Sequence, residues 1–176
     1  MKNKKILIIA NTTRFIKHFL VPIITELTSL GNRVDIVSSG SADFDFCDNY
    51  YDFNMSRSPI SLRNISAYHS IKDLMKKESY DLVYVHTPVG SVLPRIAKMF
   101  NRDLRNTKLV YIAHGFHFYK GAPIVNWLSY YPIERYLSKY ADGLLLINKE
   151  DYRFAIKHKF ASKIIEYIPG VGINLA

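Results

Sequence analysis

The chain has 176 residues, with 24 Lys and Arg against 15 Asp and Glu, a net charge of +9. That length fits one domain or two very small ones. A hydrophobic content of 48% and a charged content of 22% exclude a disordered chain, and the single cysteine, Cys47, excludes an internal disulfide or a cysteine-built metal centre.

The elements follow in alternation. A strand is predicted over residues 5–10, then a helix over 14–30 that Pro22 should kink and Gly31 should stop. Strands at 33–38 and 50–53 enclose a loop at 38–45, and a second loop at 56–61 carries Pro59. A helix over 62–77 leads to a strand at 81–86, a helix over 91–102 to a strand at 108–113. The last pairs are a helix over 123–140, with Pro123 at N1 and Pro132 as a kink or break, a strand at 143–147, a helix over 149–160 and a strand at 164–168. Most strands are apolar at nearly every position, as parallel strands covered on both faces require. The expected fold is α/β, Rossmann-like and doubly wound, with a mostly parallel sheet of about seven strands and helices on both faces. No apolar run approaches the ~18–20 residues of a membrane span. Lys2–Lys5 before Ile6–Ala10 mimics a signal peptide, but the apolar stretch is too short and reads as a buried strand. The chain is therefore expected in the cytoplasm, meeting a membrane only from its surface.

Open parallel sheets bind ligands beyond the carboxyl ends of their strands. There the sequence places Asn11-Thr12-Thr13, His86-Thr87, His114 to Gly121 and Asn148-Lys149-Glu150. A dinucleotide fingerprint is absent, since no glycine stands in Asn11–Arg14, and so is a P-loop. Gly170-Val171-Gly172 follows the last strand instead, and Asp43-Phe44-Asp45 reads as a solvated loop rather than a metal site. His86 and His114 end neighbouring strands, with His117 three residues on. Such histidines either exchange protons and hold sugar hydroxyls or are core residues satisfied by backbone. No acid accompanies them at ligand spacing, so no metal is expected.

Phe116–Tyr140 holds most of the aromatic surplus, which suits sugar or headgroup contact and equally suits packing. Arg95, Lys98, Arg102 and Arg105 recur three and four apart around Met99 and Phe100. They are expected along one side of a helix and its exit, facing an anionic membrane. A second basic cluster, Arg153, Lys157, Lys159 and Lys163, contains no acid. Nucleic acid is disfavoured because no recognised binding motif is present.

The stretch from His114-Gly115-Phe116-His117 through Lys120 to Pro123, then Asn126-Trp127, Tyr131-Pro132-Ile133-Glu134-Arg135 and Ile147-Asn148-Lys149-Glu150-Asp151-Tyr152 resembles the N-terminal domain of family 4 retaining glycosyltransferases, in the capsular and exopolysaccharide subgroup. His86-Thr87-Pro88 and Pro169 to Asn174 fit the same pattern. The resemblance implies a GT-B architecture without catalytic metal or cofactor, in which a nucleotide sugar is the donor substrate. Residues 1–168 would be the acceptor-side domain, and 169–176 the start of an interdomain linker. The donor-binding C-terminal domain, with its paired-glutamate motif, would lie beyond Ala176, so this chain alone is expected to transfer no sugar. By the same resemblance His114 is the catalytic residue touching the transferred sugar. The acceptor cleft would be lined by Asn11, Thr12, Thr13, His86, Thr87, Gly115, Phe116, His117, Lys120, Asn148 and Glu150. The first loop lacks the glycine pair common in the family. Expected partners are a lipid-linked saccharide acceptor, a nucleotide sugar and an anionic membrane surface. Rival readings are a non-catalytic acceptor- or membrane-binding module paired with a separate catalytic subunit, and a sugar-nucleotide epimerase of related fold.

Overall fold

The computed structural model describes residues 2–58 and 61–170. Pro59 and most of the 169–176 stretch, including Val171 and Gly172, lie outside the described residues.

Among the described residues seven strands form one sheet: β1 (Lys5–Thr12), β2 (Arg33–Ser39), β3 (Asn49–Asp52), β4 (Leu82–His86), β5 (Lys108–Ala113), β6 (Gly143–Leu146) and β7 (Ile164–Tyr167). Their order is β3-β2-β1-β4-β5-β6-β7 and every pairing is parallel, so the winding reverses beside β1. The doubly wound expectation holds, with an all-parallel sheet.

Alternation along β1 sends Ile6, Ile8 and Ala10 to one face and Leu7 and Ile9 to the other. The first face is covered by α1 (Thr13–Phe15), a π turn at Ile16–Leu20 and α2 (Val21–Ser29), through Ile16, Leu20 and Ile24. Phe44 packs there too, while Asp43 and Asp45 are exposed. The second face is covered by α3 (Arg63–Glu78), α4 (Pro88–Phe100), α5 (Ile124–Leu137) and α6 (Lys149–Lys157).

Proline positions explain where the helices depart from expectation. Pro22 sits in the first turn of α2 and has no N–H to return, so the preceding turn widens to π geometry and the expected long helix is split. Pro88 fits the first turn of α4, which therefore starts three residues early. Pro123 is the N-cap of α5 rather than N1. Pro132 breaks nothing: α5 runs through it. The carbonyl that loses its donor belongs to Leu128, which is 74% exposed, so water can replace the missing bond.

Much of the aromatic surplus is packing. Phe116 stacks on Phe118 at 4.7 Å between ring centroids, and Phe118 meets Trp127, Tyr131 and Phe154 at 5.4–5.7 Å. Phe116 is therefore a core side chain rather than a cleft-lining one.

The expected membrane-facing stripe is also corrected. Arg95 is 1% exposed; its guanidinium pairs with Glu134 of α5 at 2.9 Å, bonds Ser91 and lies 4.7 Å over the Tyr111 ring. Lys98 is buried against Asp142. Both point inward because Glu134 and Asp142 await them, whereas Phe100, Arg102 and Arg105 remain exposed and Met99 is half-buried. Removing one partner of a buried pair leaves the other charge stranded and typically costs ~3–5 kcal/mol. Glu134→Ala is expected to lose that much in urea unfolding, and an Arg95→Met/Glu134→Leu double variant much less. A single-variant loss of surface size would show that the pair holds nothing together.

Candidate functional site

The carboxyl ends of β1, β4 and β5 meet where the sheet order reverses. His86 closes β4 fully buried, and His114 follows β5 half-buried; His86 Nδ1 and His114 Nε2 are 3.1 Å apart. Phe15 of α1 lies edge-on to His114 at 4.9 Å and roofs His86 at 5.8 Å. Tyr84 meets His86 edge-on at 4.7 Å.

Burial pulls the His86 pKa down to about 3, helped by the neighbouring His114, and burial lowers that of His114 as well. Both rings are neutral at pH 7. His86 Nε2 has no hydrogen-bond partner among the described residues. If His114 donated to His86, that orphan would be a buried N–H; if His86 donates, it is only a lone pair, which is cheaper to strand. His86 Nδ1 is therefore assigned as the donor, and His114 carries its own proton on Nδ1, as the network dictates.

The loop after β4 is locked to β1. Asn11 N–H donates to Thr87 Oγ1 at 3.2 Å, Thr87 Oγ1 donates to Asn11 Oδ1, and Gly90 N–H donates to Asn11 Oδ1 at 2.8 Å. A Cβ on Gly90 would sit 2.8 Å from Thr87 Oγ1, so only glycine allows this approach without a shift. Thr87 itself has φ 67° and ψ 148°, a conformation costing ~1–3 kcal/mol that persists only where surroundings impose it. After β5, Gly115 at φ 138° turns the chain so that Phe116 N–H reaches the Asp151 carboxylate at 2.8 Å. Asn148 caps α6 through the Asp151 N–H at 2.8 Å and donates its amide to the same carboxylate.

These locks frame a small cavity of about 170 Å³ lined by Asn11, Thr12, Phe15, Arg57, Thr87, Pro88, Val89, His117 and Tyr130. Of the expected cleft residues, Asn11, Thr12, Thr87 and His117 meet here, with His117 stacked on Tyr130 at 4.7 Å. Lys120 and Glu150 share a different hollow of about 300 Å³ beside Trp127. Thr13 opens α1 beside Gly40, and Asn148 is committed to its cap. Phe15, Arg57, Tyr130 and Asp151 were not among the expected residues; only Asp151 had a readable signal, as the third residue after a capping Asn. Among the described residues no cluster of three His, Cys, Asp or Glu side chains is placed to hold a metal.

A doubly wound sheet of this order, with its polar residues at the switch point, defines a Rossmann-like half of a GT-B fold. Residues 5–148 match the family described as "Glycosyl transferase 4-like", and the chain belongs to that family. It is 39% identical over 171 residues to a Bacillus subtilis (strain 168) protein named "Putative glycosyltransferase EpsD", covering 97% of this chain and 45% of that one. The chain thus spans about half the length of the curated relative it matches. Among solved structures, it superposes on a UDP-N-acetylglucosamine 2-epimerase with a TM-score of 0.67 at 15% identity, covering 94% of this chain and 47% of the other. The apo lipopolysaccharide outer core galactosyltransferase WaaB gives 0.58 at 14%, with coverages of 92% and 44%. At these identities both show the fold alone.

The buried histidine has a measurable signature. An unfolded histidine titrates near 6.5 while folded His86 resists protonation down to about 3, so the unfolded state binds the extra proton between those values. The stability His86 contributes is complete above about pH 6.5 and drains away as pH falls, by up to ~1.4 kcal/mol per pH unit. Urea midpoints between pH 7 and 5 are expected to fall less steeply for His86→Gln than for the native chain. Equal slopes would place the titration elsewhere.

Proposed function

We propose that this chain is the acceptor-side half of a glycosyltransferase that moves a sugar from a nucleotide-sugar donor to a lipid-linked saccharide, in the synthesis of a capsular or exopolysaccharide. The observation that carries the reading is the neutral His86–His114 pair at the switch point of a family 4-like domain. His114 is the residue of the pair with solvent access, and a neutral ring fixed by His86 offers a single N–H to a sugar hydroxyl. Such a donor stabilises a transition state best when it is held before the reaction begins. Residues 1–168 are the acceptor domain in this reading, and 169–176 begin the linker to a donor-binding half. No cofactor is required beyond the nucleotide sugar. The net charge of +9 supports work at the cytoplasmic face of an anionic membrane. No helix among the described residues is long and apolar enough to cross a membrane.

The family match favours transfer over epimerisation, the activity in the printed name of one structural neighbour. The test uses this domain joined to its donor-binding half and follows nucleoside diphosphate release from a nucleotide sugar in the presence of acceptor. His114→Ala is expected to lower kcat by roughly 10²–10³ with little change in Tm, as loss of one preorganised donor does. If the variant melts early while its folded fraction turns over normally, His114 is a packing residue and the reading fails.

A further inference from the structure

The rim cavity is lined by two kinds of group. Phe15, Pro88, Val89 and Tyr130 present carbon, and Asn11, Thr12 and Thr87 present polar atoms. A pyranose ring has the matching pair of surfaces, C–H groups that pack on apolar and aromatic carbon and oxygens that need partners. At about 170 Å³ the space takes one such ring.

The polar groups have spent their acceptors and kept donors. Asn11 Oδ1 accepts from Gly90 N–H at 2.8 Å and from Thr87 Oγ1, which occupies both its lone pairs. Thr12 Oγ1 accepts from Phe15 N–H at 3.3 Å, and its hydroxyl hydrogen has no partner among the described residues. Asn11 gives one amide hydrogen to the Ser56 carbonyl at 3.3 Å and keeps the other. Arg57 adds a guanidinium with five N–H donors. It is the one Lys, Arg, Asp or Glu among the lining residues, and no carboxylate among the described residues lies within ion-pair distance of it. Its loop is held in place by the buried Asn64, which accepts from Ser56 N–H at 2.9 Å and donates to the Ser58 carbonyl at 2.8 Å.

We infer that the rim selects an acidic sugar: the ring that occupies it carries a carboxylate, as a uronic acid does, and Arg57 is the residue that reads it. A surplus of donors favours a ligand group that is all acceptor. A planar guanidinium matches a carboxylate with two parallel hydrogen bonds, and one fixed cation balances one negative charge. A diphosphate brings more charge than a lone arginine meets, and its tetrahedral oxygens do not need a planar fork. Neutral sugars would still fill the cavity but would leave Arg57 to solvent. This rests on the acceptor reading given above and names the chemical class of the acceptor's sugar.

The test titrates the 176-residue chain with methyl β-D-glucuronide and methyl β-D-glucoside, followed by amide NMR shifts. The two probes differ by a carboxylate in place of a hydroxymethyl group. The glucuronide is expected to bind about fivefold more tightly, the upper end for an ion pair at an exposed arginine. Shifts should appear at Thr12, Arg57 and Thr87. Added salt should shrink the preference, because an exposed pair is screened. Arg57→Gln should bind both glycosides alike, and Arg57→Lys should keep part of the preference, since it retains the charge without the fork. Equal binding of the two glycosides by the native chain overturns the inference. So does an absence of glucuronide shifts at the rim, or an undiminished preference in Arg57→Gln. Glucose 1-phosphate binding more tightly than the glucuronide through Arg57 overturns it too, by making the anion a phosphate. No preference for the glucuronide, with the His114→Ala defect in kcat present, would remove this specificity alone. The preference intact, with normal turnover in His114→Ala, would remove the acceptor reading instead.

Discussion

Arg95 reaches from α4 to Glu134 of α5 in a setting where each ion has lost nearly all of its water. Desolvation of that kind costs several kcal/mol per ion, and only good geometry offsets it. Here the geometry is supplied from three directions: the carboxylate, the Ser91 carbonyl and hydroxyl within the same helix, and the Tyr111 ring on β5 beneath. Two helices and a central strand are thereby fixed to one another by a single side chain. An apolar contact could have joined α4 to α5 at no desolvation cost, but it would tolerate sliding. The ion pair specifies one register.

The rim is stiff for a related reason. Asn11, Thr87 and Gly90 form a closed set of hydrogen bonds that pulls the start of α4 onto the end of β1, and the unfavourable backbone of Thr87 is held by that set. Behind it, His86 contributes no charge and leaves one nitrogen unpartnered. A buried ring with an unsatisfied atom weakens the core slightly and gains nothing in packing over a phenylalanine. What it provides is a donor that fixes the protonation state of His114.

Much of this was legible from the sequence. All seven strands lie within two residues of their expected places; β4 and β5 are apolar at successive positions because both their faces are covered, whereas the edge strands β3 and β7 are largely exposed. Of the rim residues, Asn11, Thr12, Thr87 and His117 followed from strand ends alone. What failed was helical-face reading. Arg95 and Lys98 lie at the spacing of a solvated basic stripe, and nothing local distinguishes such a stripe from two cations whose acids arrive from residues 134 and 142. Arg57 was illegible for the same reason: its place at the rim depends on Asn11, distant in sequence, and on Asn64. The aromatic block between 116 and 140 was ambiguous because a sugar platform and a helix-to-sheet cluster use the same residues, and only burial separates Phe118 from the half-exposed Tyr136.

The size and charge of the rim bear on which substrate this half would hold. Small-molecule pockets that enclose a whole ligand usually measure ~300–1,000 Å³. The rim cavity, at about 170 Å³, accommodates one sugar ring or less and carries a single unpaired cation. A departing nucleoside diphosphate concentrates negative charge that must be met by several donors or cations in a low-dielectric site. The rim offers the neutral His114 ring, the Asn11 amide and the Thr87 hydroxyl instead, groups suited to orienting hydroxyls. In the proposed reading, placement of the leaving charge would fall to a donor-binding half, and these residues would orient the acceptor.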